Sequence, residues 1–274
     1  MRKIIPLKEL PLSDNFMFGA VMSDPEVCKP FLEAVLQKKI VSVQSIHKEE
    51  AIANYPGLRG VRLDVYVIDE DGVRYDVEMQ GRSYSVPYLE QRTRFYQGSI
   101  DRDFLKSGED YENLPKSYVI FVCNFDYYGA GYACYERVSH IKDCPEIAYD
   151  DGSHAIFFNT HYEKVNVSKE IQEFLDYVRT NDDNAPLGSE LAQKAREKVQ
   201  EVRNSEKWEV EYMTMQMYVN EKCKEAKEEG KLETQIMSIR AVEDILSPAE
   251  ISKRFNLSLE FVQQVLSGKI PSQA

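Results

Sequence analysis

Val61-Arg-Leu-Asp-Val-Tyr-Val-Ile-Asp-Glu-Asp-Gly-Val-Arg-Tyr-Asp-Val-Glu-Met-Gln80 holds two strands and the turn that joins them. Val61, Leu63, Val65 and Val67 fall on one face of the first strand, with Arg62, Asp64, Tyr66 and Ile68 on the other. The second strand repeats the alternation, so Arg74, Asp76, Glu78 and Gln80 share a face opposite Val73, Tyr75, Val77 and Met79. If Glu70-Asp71-Gly72 is a three-residue loop with Gly72 left-handed, residue 69 pairs with 73 and Asp64 falls opposite Glu78. A loop of even length would put the two acids on opposite faces.

Two carboxylates facing each other on adjacent strands can hold one hard cation through oxygen, with water and phosphate taking its remaining positions. Gln80 shares their face and can help place a water. Alternating polar residues on any half-exposed hairpin would give the same pattern, so the order of elements around it matters.

Residues 25–37 carry apolar positions at helical spacing, with Asp24 before Pro25 as the expected cap. A first strand follows from Val41 toward Ala53, its far end blurred by Lys48-Glu49-Glu50. After the hairpin, Leu89, Thr93, Tyr96, Ile100 and Phe104 predict a helix over 87–105, with Ser85 as a candidate cap. Tyr118-Val-Ile-Phe-Val-Cys123 reads as a buried strand, and strand, helix, strand at this spacing implies a parallel crossover. The order is αβββαβ. Segments 132–138 and 155–159 are expected to extend the sheet.

Beyond residue 165 the composition changes. Ser168 caps a predicted helix through Val178, residues 181–186 read as a turn or linker, and charged helical sequence runs from about 189 to 238. Residues 247–266 look like two short helices joined at Asn256-Leu-Ser258, a spacing similar to a helix-turn-helix pair. The second of these offers only Gln263 and Gln264 to bases, and a plain helical hairpin is the alternative. The expected domains are 1–165, an α/β unit, and 166–274, a helical region.

Five cysteines without CxxC spacing indicate neither a disulfide framework nor a zinc module. No apolar run nears the roughly 20 residues of a membrane span, and the start lacks the apolar centre of a secretory signal. A cytoplasmic protein without a membrane partner is expected. A net charge of −12 opposes broad attraction to nucleic acid, because phosphate binding draws on Lys and Arg. The acids concentrate in 176–209 and 221–233, however, while Arg59, Arg62, Arg74, Arg82, Arg92, Arg94, Arg102 and Lys106 are expected around the hairpin acids.

Taken together, Asp14-Asn-Phe-Met-Phe-Gly-Ala-Val-Met22, Arg62-Leu-Asp-Val-Tyr-Val67, Tyr75-Asp-Val-Glu-Met-Gln80, Arg92-Thr-Arg-Phe-Tyr96, Gly108-Glu-Asp-Tyr-Glu-Asn-Leu114 and Tyr118-Val-Ile-Phe-Val-Cys-Asn-Phe-Asp126 resemble the PD-(D/E)XK nuclease superfamily. Within it they are similar to the Rpn-like recombination-promoting nucleases, or putative transposases, over about residues 12–160. The resemblance implies a restriction-endonuclease-like α/β fold with a mixed central sheet and a helical C-terminal extension. It implies a metal at Asp64 and Glu78, completed by the Met79 carbonyl, with Mg²⁺ as the cofactor or Mn²⁺ in its place. DNA is the implied substrate, hydrolysed at its phosphodiester bonds, and no small-molecule cofactor is implied. A homodimer is expected because cutting both strands of a duplex usually takes two sites.

Gln80 departs from the superfamily lysine; an amide hydrogen-bonds but cannot help deprotonate water, which leaves the general base unassigned. Asp14 matches an acidic family position that can face the metal, and equally reads as an N-cap. Arg92 and Tyr96, one helical turn apart, are accessory candidates for phosphate or carboxylate; for Arg92 a structural ion pair is the alternative. Arg62, Arg82 and Arg94 are candidate DNA contacts, and Tyr66 reads as sheet packing. The competing function is a catalytically weak nuclease-fold protein that binds DNA or serves regulation or assembly.

Overall fold

The computed structural model of the chain describes residues 5–52 and 60–268, which leaves Arg59 and the end of the expected first strand at Ala53 outside the described residues. Its elements in chain order are α1 (Asn15–Met22), α2 (Pro25–Leu36), β1 (Val43–Ile52), β2 (Val61–Asp69), β3 (Arg74–Gln80), α3 (Tyr88–Phe104), β4 (Ser117–Cys123), β5 (Cys134–Glu136), β6 (His140–Ile141), β7 (Cys144–Ala148), β8 (Ser153–Asn159), α4 (Lys169–Thr180), α5 (Glu190–Arg203), α6 (Glu206–Arg240), α7 (Pro248–Phe255) and α8 (Leu259–Leu266).

The turn between β2 and β3 is built by one buried acid. Asp69 is 1% exposed, and its carboxylate accepts the N–H groups of Asp71 (3.0 Å) and Val73 (2.9 Å) and the hydroxyl of Tyr75 (2.7 Å). Gly72 sits at φ +76° and donates its N–H to the Asp69 carbonyl at 3.1 Å. Pairing then runs Ile68 with Arg74, Tyr66 with Asp76 and Val65 with Val77, the register that sets Asp64 opposite Glu78.

Six strands form a mixed sheet in the order β1-β2-β3-β4-β8-β5. The first three are antiparallel neighbours, β3, β4 and β8 run parallel, and β5 returns antiparallel along β8. β4 is apolar along its length because both faces are covered. β6 and β7 form a separate small ribbon that the alternation of the sequence does not announce.

Helix α3 covers one face of the sheet, where Leu89, Tyr96 and Ile100 pack with Tyr66, Val119, Phe121 and Phe157. The helices of the other face include α2, whose Phe31 meets Phe158 of β8 and Phe174 of α4. Capping follows the sequence at Asp24, which accepts the Glu26 N–H at 2.9 Å, and at Ser168, which accepts that of Ile171 at 3.3 Å. Ser85 is no cap: the residue before α3 is Pro87, and Ser85 contributes its carbonyl, to the N–H of Tyr88. The helical sequence after 189 is two helices, broken at Asn204 and Ser205.

The first compact unit ends at Glu209, beyond the change of composition at 166, because α4 and α5 pack with α1 and α2. The second unit, from Val210, holds the rest of α6 with α7 and α8. Ile239, Ile251, Val262 and Val265 form its buried centre. A capping box at Ser247 and Glu250 starts α7, and Asn256 at φ 52° turns the chain into α8.

Candidate metal and phosphate site

Asp64, Asp76, Glu78 and Gln80 project from the hairpin toward α3, so the polar stripe of the sequence lies beneath a helix instead of facing water. Asp76 and Glu78 are fully buried and Gln80 is 6% exposed. Glu78 Oε1 accepts the backbone N–H of Asp64 at 3.1 Å, and Asp64 Oδ2 accepts that of Met79 at 3.3 Å, so each acid is bonded to the neighbouring strand.

Arg92 closes this cluster from α3. Its guanidinium donates to Glu78 Oε2, to Gln80 Oε1 (2.9 Å) and to the Tyr96 hydroxyl (2.6 Å). The ring of Tyr96 lies against it, with the Tyr96 centroid 4.9 Å from the guanidinium carbon. Gln80 is thereby held at both ends, since its amide nitrogen donates to the Arg82 carbonyl at 3.1 Å. Arg62, Tyr88, Gln91, Arg92, Phe95 and Tyr96 line a cleft of about 500 Å³ against this cluster. A hollow of about 620 Å³ lies elsewhere, between α2 and α5, and is lined by solvated pairs such as Lys194 with Glu190.

Neither oxygen of Asp76 accepts from an N–H group among the described residues, and its carboxyl lies against that of Glu78, with which it can share a proton. Burial pushes its carboxyl well above the usual range, and the charges of Glu78 and Asp64 push it the same way. Burial likewise raises Glu78 to about 8, with Asp64 adding to the rise and Arg92 opposing it. Asp64 rises to about 6 for the same first reason, again against Arg92. Arg92 itself is buried against its charge, but Glu78 and Tyr96 reverse that effect and raise its pKa. Three carboxyl groups thus share the one guanidinium that bonds the cluster among the described residues.

Asp14 caps α1, accepting the Phe16 N–H at 2.8 Å. The start of that helix is close to the site's edge, for the Ser13 carbonyl lies 3.6 Å from where a Cβ on Gly81 would stand. Arg62, on the cleft wall, pairs with Glu49, whereas Arg82 and Arg94 are exposed. Arg74, Arg102 and Lys106 do not join them. Arg74 donates to the Tyr66 hydroxyl and covers the ring of Phe104, so it marks the opposite end of the sheet, with Arg102 and Lys106 near the end of the same helix. The seven residues from Arg74 to Gln80 span about 20 Å of extended strand. Tyr66 is 7% exposed and packs in the sheet's core.

Two residues of the cluster escape sequence reasoning. Asp76 is on the right face, but its lack of an N–H partner is visible only once α3 covers it. Glu49 lies in β1 at φ 59°, between the Lys48–Val65 and Glu50–Leu63 pairs, and its charge raises the Asp64 carboxyl.

The donor set suits a hard divalent cation. It is oxygen-rich, buried and in excess of its positive partners, and Asp76 leaves two carboxylate oxygens without N–H donors. No three His, Cys, Asp or Glu side chains converge as a ready cage among the described residues.

A family model described as PD-(D/E)XK nuclease family transposase matches residues 15–215. Neither the curated proteins nor the solved structures give a match. No helix of the described residues is long and apolar enough to cross a membrane.

Proposed function

The chain belongs to the PD-(D/E)XK nuclease family transposases, and from that membership we propose that it is a DNA endonuclease using Mg²⁺, or Mn²⁺ in its place. The observation that carries the reading is the acid cluster of the β2–β3 hairpin, where Asp76 and Glu78 are buried beside the half-buried Asp64 and Arg92 bonds Glu78. Asp64, Glu78 and the Met79 carbonyl are the ligands in this reading. A cation bound there would lower the pKa of its water and offset charge on the scissile phosphate.

The remaining roles fall to the chain's own groups. Gln80 orients water by hydrogen bonding and takes no proton, so the base lies elsewhere. Arg92 stands between the acids and the cleft, and its guanidinium can bond a phosphate oxygen as readily as a carboxylate. Asp14 supports the site from the cap of α1, and Tyr96 holds Arg92. Arg62, Arg82 and Arg94 contact the DNA backbone. The working form is a cytoplasmic homodimer, one site for each strand, acting in recombination or on mobile elements.

A second reading is a nuclease-fold protein that binds DNA without cutting it. It is favoured by Arg92, which already occupies one oxygen of Glu78, and by Gln80, fixed by Arg92 and Arg82. Purified protein incubated with supercoiled DNA and Mg²⁺ or Mn²⁺ separates the two. Nicking lost in both Asp64→Ala and Glu78→Ala supports the nuclease, nicking that survives both belongs to a contaminant, and no nicking under any metal condition supports the binding protein.

A further inference from the structure

Two aromatic rings stand on the wall of the cleft beside Arg92. Tyr88 and Phe95 lie two helical turns apart on α3, 39% and 43% exposed. Tyr84 stacks on Tyr88, ring centroids 4.3 Å apart and planes 12° from parallel, which fixes that ring in place. Phe95 makes no ring contact among the described residues. One held ring and one exposed ring in a polar cleft are apolar surface that a ligand can cover.

The charge of the cleft defines the ligand further. Both of its arginines come with a carboxylate, Arg62 with Glu49 and Arg92 with Glu78. Duplex binding draws on many uncompensated cations, each displacing counterions from a phosphate, and the two arginines that line the cleft are both compensated. Stacking on a base supplies affinity without that charge. In a continuous duplex, however, the base faces are covered by their neighbours. We infer that the cleft receives an unpaired nucleobase on Tyr88 and Phe95, so that the substrate is single-stranded DNA, or DNA unpaired beside the scissile phosphate. The inference rests on the nuclease reading for the position of the phosphate, and on the rings for the base.

The test is binding of the full chain in EDTA, without cleavage, to a labelled oligothymidine and to a duplex of equal length at the same salt. The single strand is expected to bind about tenfold more tightly or better, and Tyr88→Ala and Phe95→Ala each to weaken it by roughly tenfold while duplex affinity stays within about twofold. Tyr88→Phe, which keeps the ring, should bind as the native chain does. A fluorescent adenine analogue in the strand should be quenched on binding native protein, a readout that needs no variant to fold. Equal affinity for the two DNAs, equal losses on both, or an unquenched analogue overturns the inference. If nicking is metal-dependent but indifferent to the rings, the nuclease reading stands and this one falls. If the rings grip single strands and no metal yields cleavage, the reverse holds.

Discussion

The β2–β3 hairpin buries one acid completely at its turn and another farther along its strands, and treats them oppositely. At the turn, Asp69 is satisfied by two N–H groups and a hydroxyl. Midway along β3, Asp76 meets no donor from an N–H group among the described residues and lies against two more carboxyl groups. Burial of charge is therefore not the distinguishing feature; what differs is whether the fold supplies the partners. The turn acid shapes the backbone, whereas the cluster stores a demand for positive charge that the fold leaves mostly unmet.

The largest expected effect tests the first half of that contrast. Asp69→Ala strips partners from two N–H groups and a hydroxyl, each worth about 1–3 kcal/mol when buried, and should cost about 3–5 kcal/mol in urea unfolding. A loss under about 1 kcal/mol would break the assignment of Asp69 to structure. Next comes the cluster's response to cation. At pH 8 and a concentration near 100 times the dissociation constant, Mg²⁺ should stabilise the native chain by about 2.7 kcal/mol, and Asp64→Ala hardly at all. An equal shift in both would place the cation elsewhere.

The third test uses protons. The carboxyls of Asp64 and Glu78 are raised from 3.8 and 4.5 to about 6 and about 8, and Asp76 is raised as well. Their contribution to stability is full below the unfolded values, near pH 4, and falls as pH rises through the folded ones, because the unfolded chain releases its protons first. The metal-free protein should thus lose stability between about pH 4 and pH 8. Asp76→Asn, which removes the need to take up a proton on folding and can donate to Glu78, should gain about 1–3 kcal/mol at pH 8 and little at pH 4. A gain independent of pH would deny Asp76 its place in the cluster. Smallest is Gly72→Ala, about 1 kcal/mol destabilising: nothing crowds the new methyl, and only the backbone at φ +76° resists it.

Much of this was legible because it is local. Gly72 and a three-residue loop set the register, and alternation put Asp64 and Glu78 on one face. The continuous run of β4 announced a strand covered on both sides, and Asp24 and Ser168 announced their helices. Contacts made at a distance were not legible. Nothing in the spacing of Glu78 and Arg92, 14 residues apart, says that α3 lowers an arginine onto that particular carboxylate. Arg74, Arg102 and Lys106 looked equivalent to Arg92 along the chain, yet a helix crossing back over the sheet carries its last turn to the other end. α1 was readable only as a cap at Asp14, since an apolar segment buried nearly all round has no clear helical stripe.

The bonds of Gln80 also tie two positions together. Its amide oxygen accepts from Arg92, something a lysine ammonium at that position could not do, and lysine there would set two cations side by side beneath α3. Residues 80 and 92 are therefore coupled through one hydrogen bond. A lysine at position 80 would lose the bond that Gln80 accepts and bring a second cation to the carboxyl groups, so the partner of Arg92 and the charge of the cluster would change together.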